Sequence, residues 1–81
     1  MRYRIIVKLK DSVLDPQGQT ILSAIKKEEY DFISDIRTGK FFDLQIDEDT
    51  EDVDKKLKKL AYDILSNPIV EDFVIEEMVK N

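Results

Sequence analysis

The 81-residue chain carries 13 Lys and Arg against 18 Asp and Glu, with no histidine and no cysteine, for a net charge of −5. That balance argues against a nucleic-acid partner, and the two absences remove disulfides, thiolate chemistry, the commonest metal ligand and the usual general base. A chain this short forms one domain, 1–81, and buries only about 60–65% of its unfolded surface, so oligomerisation is an expected supplement to its stability.

Tyr3, Ile5, Val7 and Leu9 alternate with Arg4, Ile6, Lys8 and Lys10, the period of two of a strand with one buried face. Ile6 interrupts the polar side. The strand runs out at Lys8-Leu9-Lys10, and Asp15-Pro16 opens a helix. The aspartate side chain can accept from the free N–H groups of the first turn, and a proline at the first helical position loses no bond. Gly18 is a poor helix former at that point, which leaves two readings open. Another backbone or a partner chain approaches closely there, or the glycine is merely tolerated at a helix start. Ile21, Leu22, Ala24 and Ile25 give the helix an apolar stripe that ends near Glu29.

The run 32–37 is β-prone and is followed by Thr38-Gly39 and then a second strand-like run, 40–47. This pattern predicts a β-hairpin whose turn uses a positive φ at Gly39. In the second arm Phe42, Leu44 and Ile46 face one way and Phe41, Asp43 and Gln45 the other. The acidic run 47–52 lacks the glycine and spaced ligands of a calcium loop and instead suits a helix start capped by Asp49 or Thr50. Val53, Leu57, Leu60, Ala61, Ile64 and Leu65 form that helix's apolar stripe, with Lys55, Lys56, Lys58 and Lys59 on its wet side. Asn67-Pro68 stops it, and a last strand covers 69–79.

The order β-α-β-β-α-β predicts an α+β two-layer sandwich, an antiparallel sheet with two helices on one face, of which the ferredoxin-like arrangement is the commonest form. Ile6, Phe41, Val74 and Met78 fall opposite the core rows, which predicts self-association through the sheet. No apolar run approaches the roughly 20 residues of a bilayer span, and the stretch carrying Arg4, Lys8 and Lys10 is unlike a signal peptide, so a cytoplasmic protein without membrane contact is expected. Catalytic parts are missing. Gly39-Lys40 lacks the rest of a phosphate loop, and no Ser or Thr has a His or Cys base. Two functions remain: a structural or adaptor subunit, and a ferredoxin-like regulatory module that binds a small ligand at a dimer interface.

The motifs Lys8-Leu9-Lys10, Val13-Leu14-Asp15-Pro16-Gln17-Gly18, Ile36-Arg37-Thr38-Gly39-Lys40 and Leu65-Ser66-Asn67-Pro68-Ile69, followed by Glu71-Asp72-Phe73-Val74-Ile75-Glu76, resemble the PurS family. PurS is the small subunit of phosphoribosylformylglycinamidine (FGAM) synthase, and the resemblance covers nearly the whole chain. Two positions depart from the family pattern. Glu28-Glu29-Tyr30 replaces a Leu-Gly that usually closes the first helix, and residues near Ala61-Tyr62 replace a Met-Cys pair.

The resemblance implies a non-catalytic subunit in the ATP- and glutamine-dependent conversion of formylglycinamide ribonucleotide to FGAM, in de novo purine synthesis. It implies a homo-oligomer, dimer or tetramer, that bridges a PurL-type synthetase and a PurQ-type glutaminase and supports ammonia transfer between them. ATP and Mg belong to the large subunit, and this chain is expected to bind no cofactor or metal. Carried onto positions here, the implied partner contacts are Asp15, Pro16, Gly18, Arg37, Gly39 and Lys40, with Asn67 and Pro68. Asp15 and Pro16 have a local account as cap and first helical residue. Arg37 and Lys40, two cations beside a predicted turn, have none and are expected to pair with partner carboxylates.

Overall fold

The structure is a computed structural model in which residues 1–47 and 51–78 are described. Strand β1 (Arg2–Leu9) is the centre of a three-stranded antiparallel sheet, flanked by β2 (Gly39–Gln45) and β3 (Glu71–Met78). Helix α1 (Pro16–Lys26) links β1 to β2. Helix α2 (Val53–Leu60), prolonged by a π-helical turn at Ala61–Leu65, links β2 to β3.

The alternation in β1 produces its packing directly. Tyr3, Ile5 and Val7 are buried, with Ile5 opposite Phe42 and Ile75, and Val7 opposite Lys40 and Phe73. Leu57 and Ala61, one turn apart on the second helical segment, close over that row, and Phe42, Leu44, Phe73 and Ile75 pack around it half-buried. Each fully buried aliphatic side chain here contributes about 1.5–3 kcal/mol. Leu22 of α1 is also buried but lies outside this cluster.

The α+β class and the antiparallel sheet agree with the sequence pattern, whereas the hairpin does not form. No strand occurs over 32–38, and Gly39 opens β2 directly opposite Lys8 without a positive φ. The reason is that Arg37 and Thr38 bond to the β1–α1 junction and not to a neighbouring strand. Of the acidic run, Asp49 and Thr50 lie outside the described residues. Asp52 occupies the α2 N-cap position with a left-handed φ of 56° and no side-chain cap bond.

The stripe predicted for the second helix also breaks at its end. Ile64 is 73% exposed, because the π-helical turn takes up one extra residue and rotates the later side chains by about 100°. The Ser66 hydroxyl donates to the Ala61 carbonyl at 2.7 Å across this turn. At the end of α1, Glu29 takes a φ of 77°, a left-handed conformation that favours glycine.

The molecule is a slab of 50 × 34 × 14 Å with a radius of gyration of 16.2 Å. A compact chain of this length has a radius near 12 Å. Its accessible surface is 6486 Å², where a compact monomer of this mass exposes roughly 5,000 Å². Phe32, Phe41, Ile64, Ile69 and Val74 each stand more than half exposed.

Candidate partner interface

One end of the sheet gathers the end of β1 and the starts of α1, β2 and β3. Asp15 is at its centre. It is 2% exposed, and both carboxylate oxygens accept from donors of this chain. Oδ1 accepts the Gly18 N–H at 3.0 Å, the N-cap bond, while Oδ2 accepts both the Thr38 N–H at 2.6 Å and the Thr38 hydroxyl at 2.8 Å. These donors, led by the Thr38 backbone N–H and aided by the charge of Arg37, outweigh burial and hold the carboxyl at a pKa of about 2.

Arg37 has the local purpose that its sequence position did not disclose. One guanidinium nitrogen donates to the Lys10 carbonyl at 3.0 Å and the Val13 carbonyl at 2.8 Å, closing the loop between β1 and α1. The premise for placing it opposite a partner carboxylate is therefore corrected. Gly18 answers the question its position raised: a Cβ there would overlap the Ile36 carbonyl oxygen, so the backbone that approaches closely is this chain's own. Gly39 is required for space as well. Its Cβ would lie 2.7 Å from Lys8 Cγ and 2.9 Å from the Val7 carbonyl oxygen.

Asn67 and Pro68 reach the same end of the sheet by a separate route. The Asn67 carbonyl accepts from the N–H groups of Val70 and Glu71, its own N–H donates to Glu71 Oε1 at 2.7 Å, and its side-chain oxygen accepts the Ile69 N–H. The Lys10 N–H donates to the Val70 carbonyl at 2.8 Å, which fastens this turn to the end of β1. Pro68 lines a shallow hollow of about 300 Å³ together with Tyr62 and Phe73.

Between these walls opens a cleft of about 490 Å³, which brings Pro16 and Gly39 beside Lys8, Lys40 and Glu71. Lys40 and Lys8 are exposed, and neither lies within ion-pair distance of a carboxylate among the described residues. Lys40 Nζ stands 5.8 Å from the centre of the Phe42 ring. Lys8, Thr38 and Glu71 stand in the quoted motifs but are not among the expected contacts. Lys8 and Glu71 owe their places to strand pairing, Lys8 with Gly39 and Glu71 with Leu9, and Thr38 to its bonds with Asp15, all of them long-range relationships.

On the sheet face away from the core, register aligns three of the four residues assigned to self-association. Ile6 pairs with Phe41 on one side and with Val74 on the other, forming one apolar row across all three strands. Met78 pairs with Arg2 at the opposite end and does not join it. Arg4 borders the row, 4.1 Å from the Phe41 ring centre and 2.8 Å from Asp43. No group of three or more metal-ligating side chains occurs among the described residues, and none of their helices is long and apolar enough to cross a membrane.

A two-layer α+β domain with a cleft at one sheet end and an apolar row on its open face is built to dock against other chains. Its particular lineage is identified by comparison: the chain belongs to the PurS family, whose model, described as phosphoribosylformylglycinamidine (FGAM) synthase, matches residues 2–78. It is 45% identical over 69 residues to the phosphoribosylformylglycinamidine synthase subunit PurS of Mycobacterium leprae, covering 85% of each chain. Among solved structures, Bacillus subtilis PurS superposes with a TM-score of 0.84 at 35% identity, over 93% of this chain and 94% of the other. A chain in the structure of PurLQS from Thermotoga maritima superposes with a TM-score of 0.83 at 27% identity, over 95% of each.

Proposed function

We propose that the chain is the small, non-catalytic subunit of FGAM synthase and acts in the cytoplasm. There it holds a PurL-type synthetase and a PurQ-type glutaminase together, so that ammonia released from glutamine reaches the synthetase without loss to water. The observation that carries this reading is the match, over 95% of each chain, to a subunit of PurLQS. ATP and Mg act on the large subunit in this scheme, and this chain binds neither. The sheet-end junction, with Pro16, Gly39 and Lys40 at its surface and Asn67 and Pro68 beside them, is the face offered to the partners. Asp15, Gly18 and Arg37 hold that face in shape from within.

Self-association is the second part of the proposal. The slab's excess of surface over a compact monomer and the Ile6–Phe41–Val74 row support a homo-oligomer, since a standard interface removes about 800 Å² from each partner. The deciding experiment is FGAM formation by the purified PurL-type and PurQ-type subunits with and without this chain. Glutamine-dependent activity is expected only when the chain is present, while ammonia-dependent activity proceeds without it. Equal glutamine-dependent rates in both mixtures would refute the adaptor role.

A further inference from the structure

We infer that two copies of this chain stack open sheet face to open sheet face about a twofold axis that crosses the strands at Ile6, so that Glu76 of each copy meets Lys8 of the other. This rests on the self-association reading and adds the orientation of the two copies. The apolar row of Ile6, Phe41 and Val74, the last two 56% and 57% exposed, has a row of charges on either side. Register sets Asp43, Arg4 and Glu76 abreast on one side and Lys8 beside Asp72 on the other. Arg4 is committed to Asp43 through contacts of 2.8 and 3.2 Å, and Asp72 to Lys10 at 2.6 Å. What remains is one anion, Glu76, on one side of the row and one cation, Lys8, on the other. Both are exposed, and neither makes an ion pair among the described residues.

Opposite charges at equal distances on the two sides of an apolar row are self-complementary, which selects a second copy as the occupant of the face. The chain also exposes roughly 1,500 Å² more than a compact monomer of its mass, more than a standard interface removes from one partner. Two identical faces can be related by an axis along the strands or across them. Along the strands, every row meets itself: Lys8 faces the partner's Lys8 and Glu76 faces the partner's Asp43, so like charges oppose. Across the strands, the apolar row still meets itself but the two charged rows exchange. Glu76 then lies one strand, about 4.8 Å, to the side of the partner's Lys8 across a gap of about 10 Å, which two long side chains can close. Symmetry makes this contact twice. The like charges set directly opposite in this arrangement are Arg4 with Lys8 and Glu76 with Asp72, and in each pair one member is already neutralised within its own chain.

The test is sedimentation velocity on three variants. K8E and E76K each turn both symmetric contacts repulsive and are expected to raise the dissociation constant of the oligomer at least tenfold, by less in high salt. The double variant K8E/E76K restores opposite signs and should return to within about threefold of wild type. Within one chain residues 8 and 76 stand two rows apart, about 13 Å along the strands, so recovery arises only across the interface. The chain has no cysteine, which gives an independent check on the axis. A bis-maleimide spanning about 10 Å, the separation of stacked sheets, should link K8C to E76C in a mixture and leave K8C alone unlinked. Single variants that sediment like wild type, a double variant as dissociated as the singles, or linkage of K8C to itself overturns the assignment. A monomeric wild type removes the self-association reading along with it, whereas an oligomeric wild type unmoved by these changes refutes the orientation alone.

Discussion

Thr38 donates twice to one oxygen of Asp15, through its backbone N–H at 2.6 Å and its hydroxyl at 2.8 Å, across 23 positions of sequence. These bonds favour the ionised carboxyl and lower its pKa from 3.8 to about 2. A lowered folded-state value stabilises the fold fully above the unfolded value and loses that effect as pH falls. The window here runs from about pH 4 down to about pH 2. Asp15→Asn, which turns an amide N–H₂ toward donors, should melt roughly 5–10 °C below wild type at pH 7. The two melting curves should converge as pH approaches 2. Thermal melts across that range check this, and a gap that stays constant to the acid end of the window would contradict it.

Gly18 and Gly39 both lack room for a side chain, but their neighbours differ. At Gly18 a Cβ would overlap the Ile36 carbonyl oxygen, whereas at Gly39 it would meet Lys8 Cγ at 2.7 Å and the Val7 carbonyl oxygen at 2.9 Å, both less severe. Gly18→Ala should therefore destabilise by about 1–3 kcal/mol and Gly39→Ala by less. Urea unfolding of the two variants side by side gives the ranking, and the reverse order would disprove the account.

Arg37 and Lys40, equivalent as two cations in one motif, separate in the fold. Arg37→Ala leaves the Val13 carbonyl without its donor and the Lys10 carbonyl with only the Val13 N–H, and should cost about 1–2 kcal/mol of stability. Lys40→Ala should change the melting temperature by no more than a degree or two, because the side chain is exposed. Differential scanning calorimetry distinguishes them. Equal stability for the two variants would return Arg37 to the surface role its sequence suggested.

The bare apolar row gives a prediction about mass. Phe41→Glu and Val74→Lys each place a charge beside Ile6, so sedimentation velocity should show a smaller species than wild type at equal concentration. Unchanged sedimentation in both would clear this row of any part in assembly.

What could be read in the sequence was local. The period of two in Tyr3, Ile5 and Val7 and the cap at Asp15-Pro16 depend on neighbours a few residues away, and all appear in the structure as expected. The crowding at Gly18 was one of two readings left open, and the structure selects it. What could not be read was long-range. Residues Phe32, Ile33 and Ile36 favour a strand, but Arg37 and Thr38 are bonded to the β1–α1 junction and the Ile36 carbonyl is packed on Gly18, so tertiary contacts override propensity. The donor role of Arg37 has no sequence signature, since its acceptors are backbone carbonyls 24 and 27 positions away. Nor does any local pattern announce a π-helical turn that rotates Ile64 outward.

The central position of β1 governs when the fold can be completed. Among the described residues Tyr3, Ile5 and Val7 are three of the six buried apolar side chains, and β1 meets β3 in a register that runs from Leu9 with Glu71 to Arg2 with Met78. On a ribosome the first strand emerges long before its third-strand neighbour exists, and closing so large a loop is slow. The Tyr3, Ile5 and Val7 face of β1 therefore stays incompletely sheltered until β3 arrives. Completion of the sheet waits on β3, and the chain is exposed to the risk of aggregation until that strand is in place.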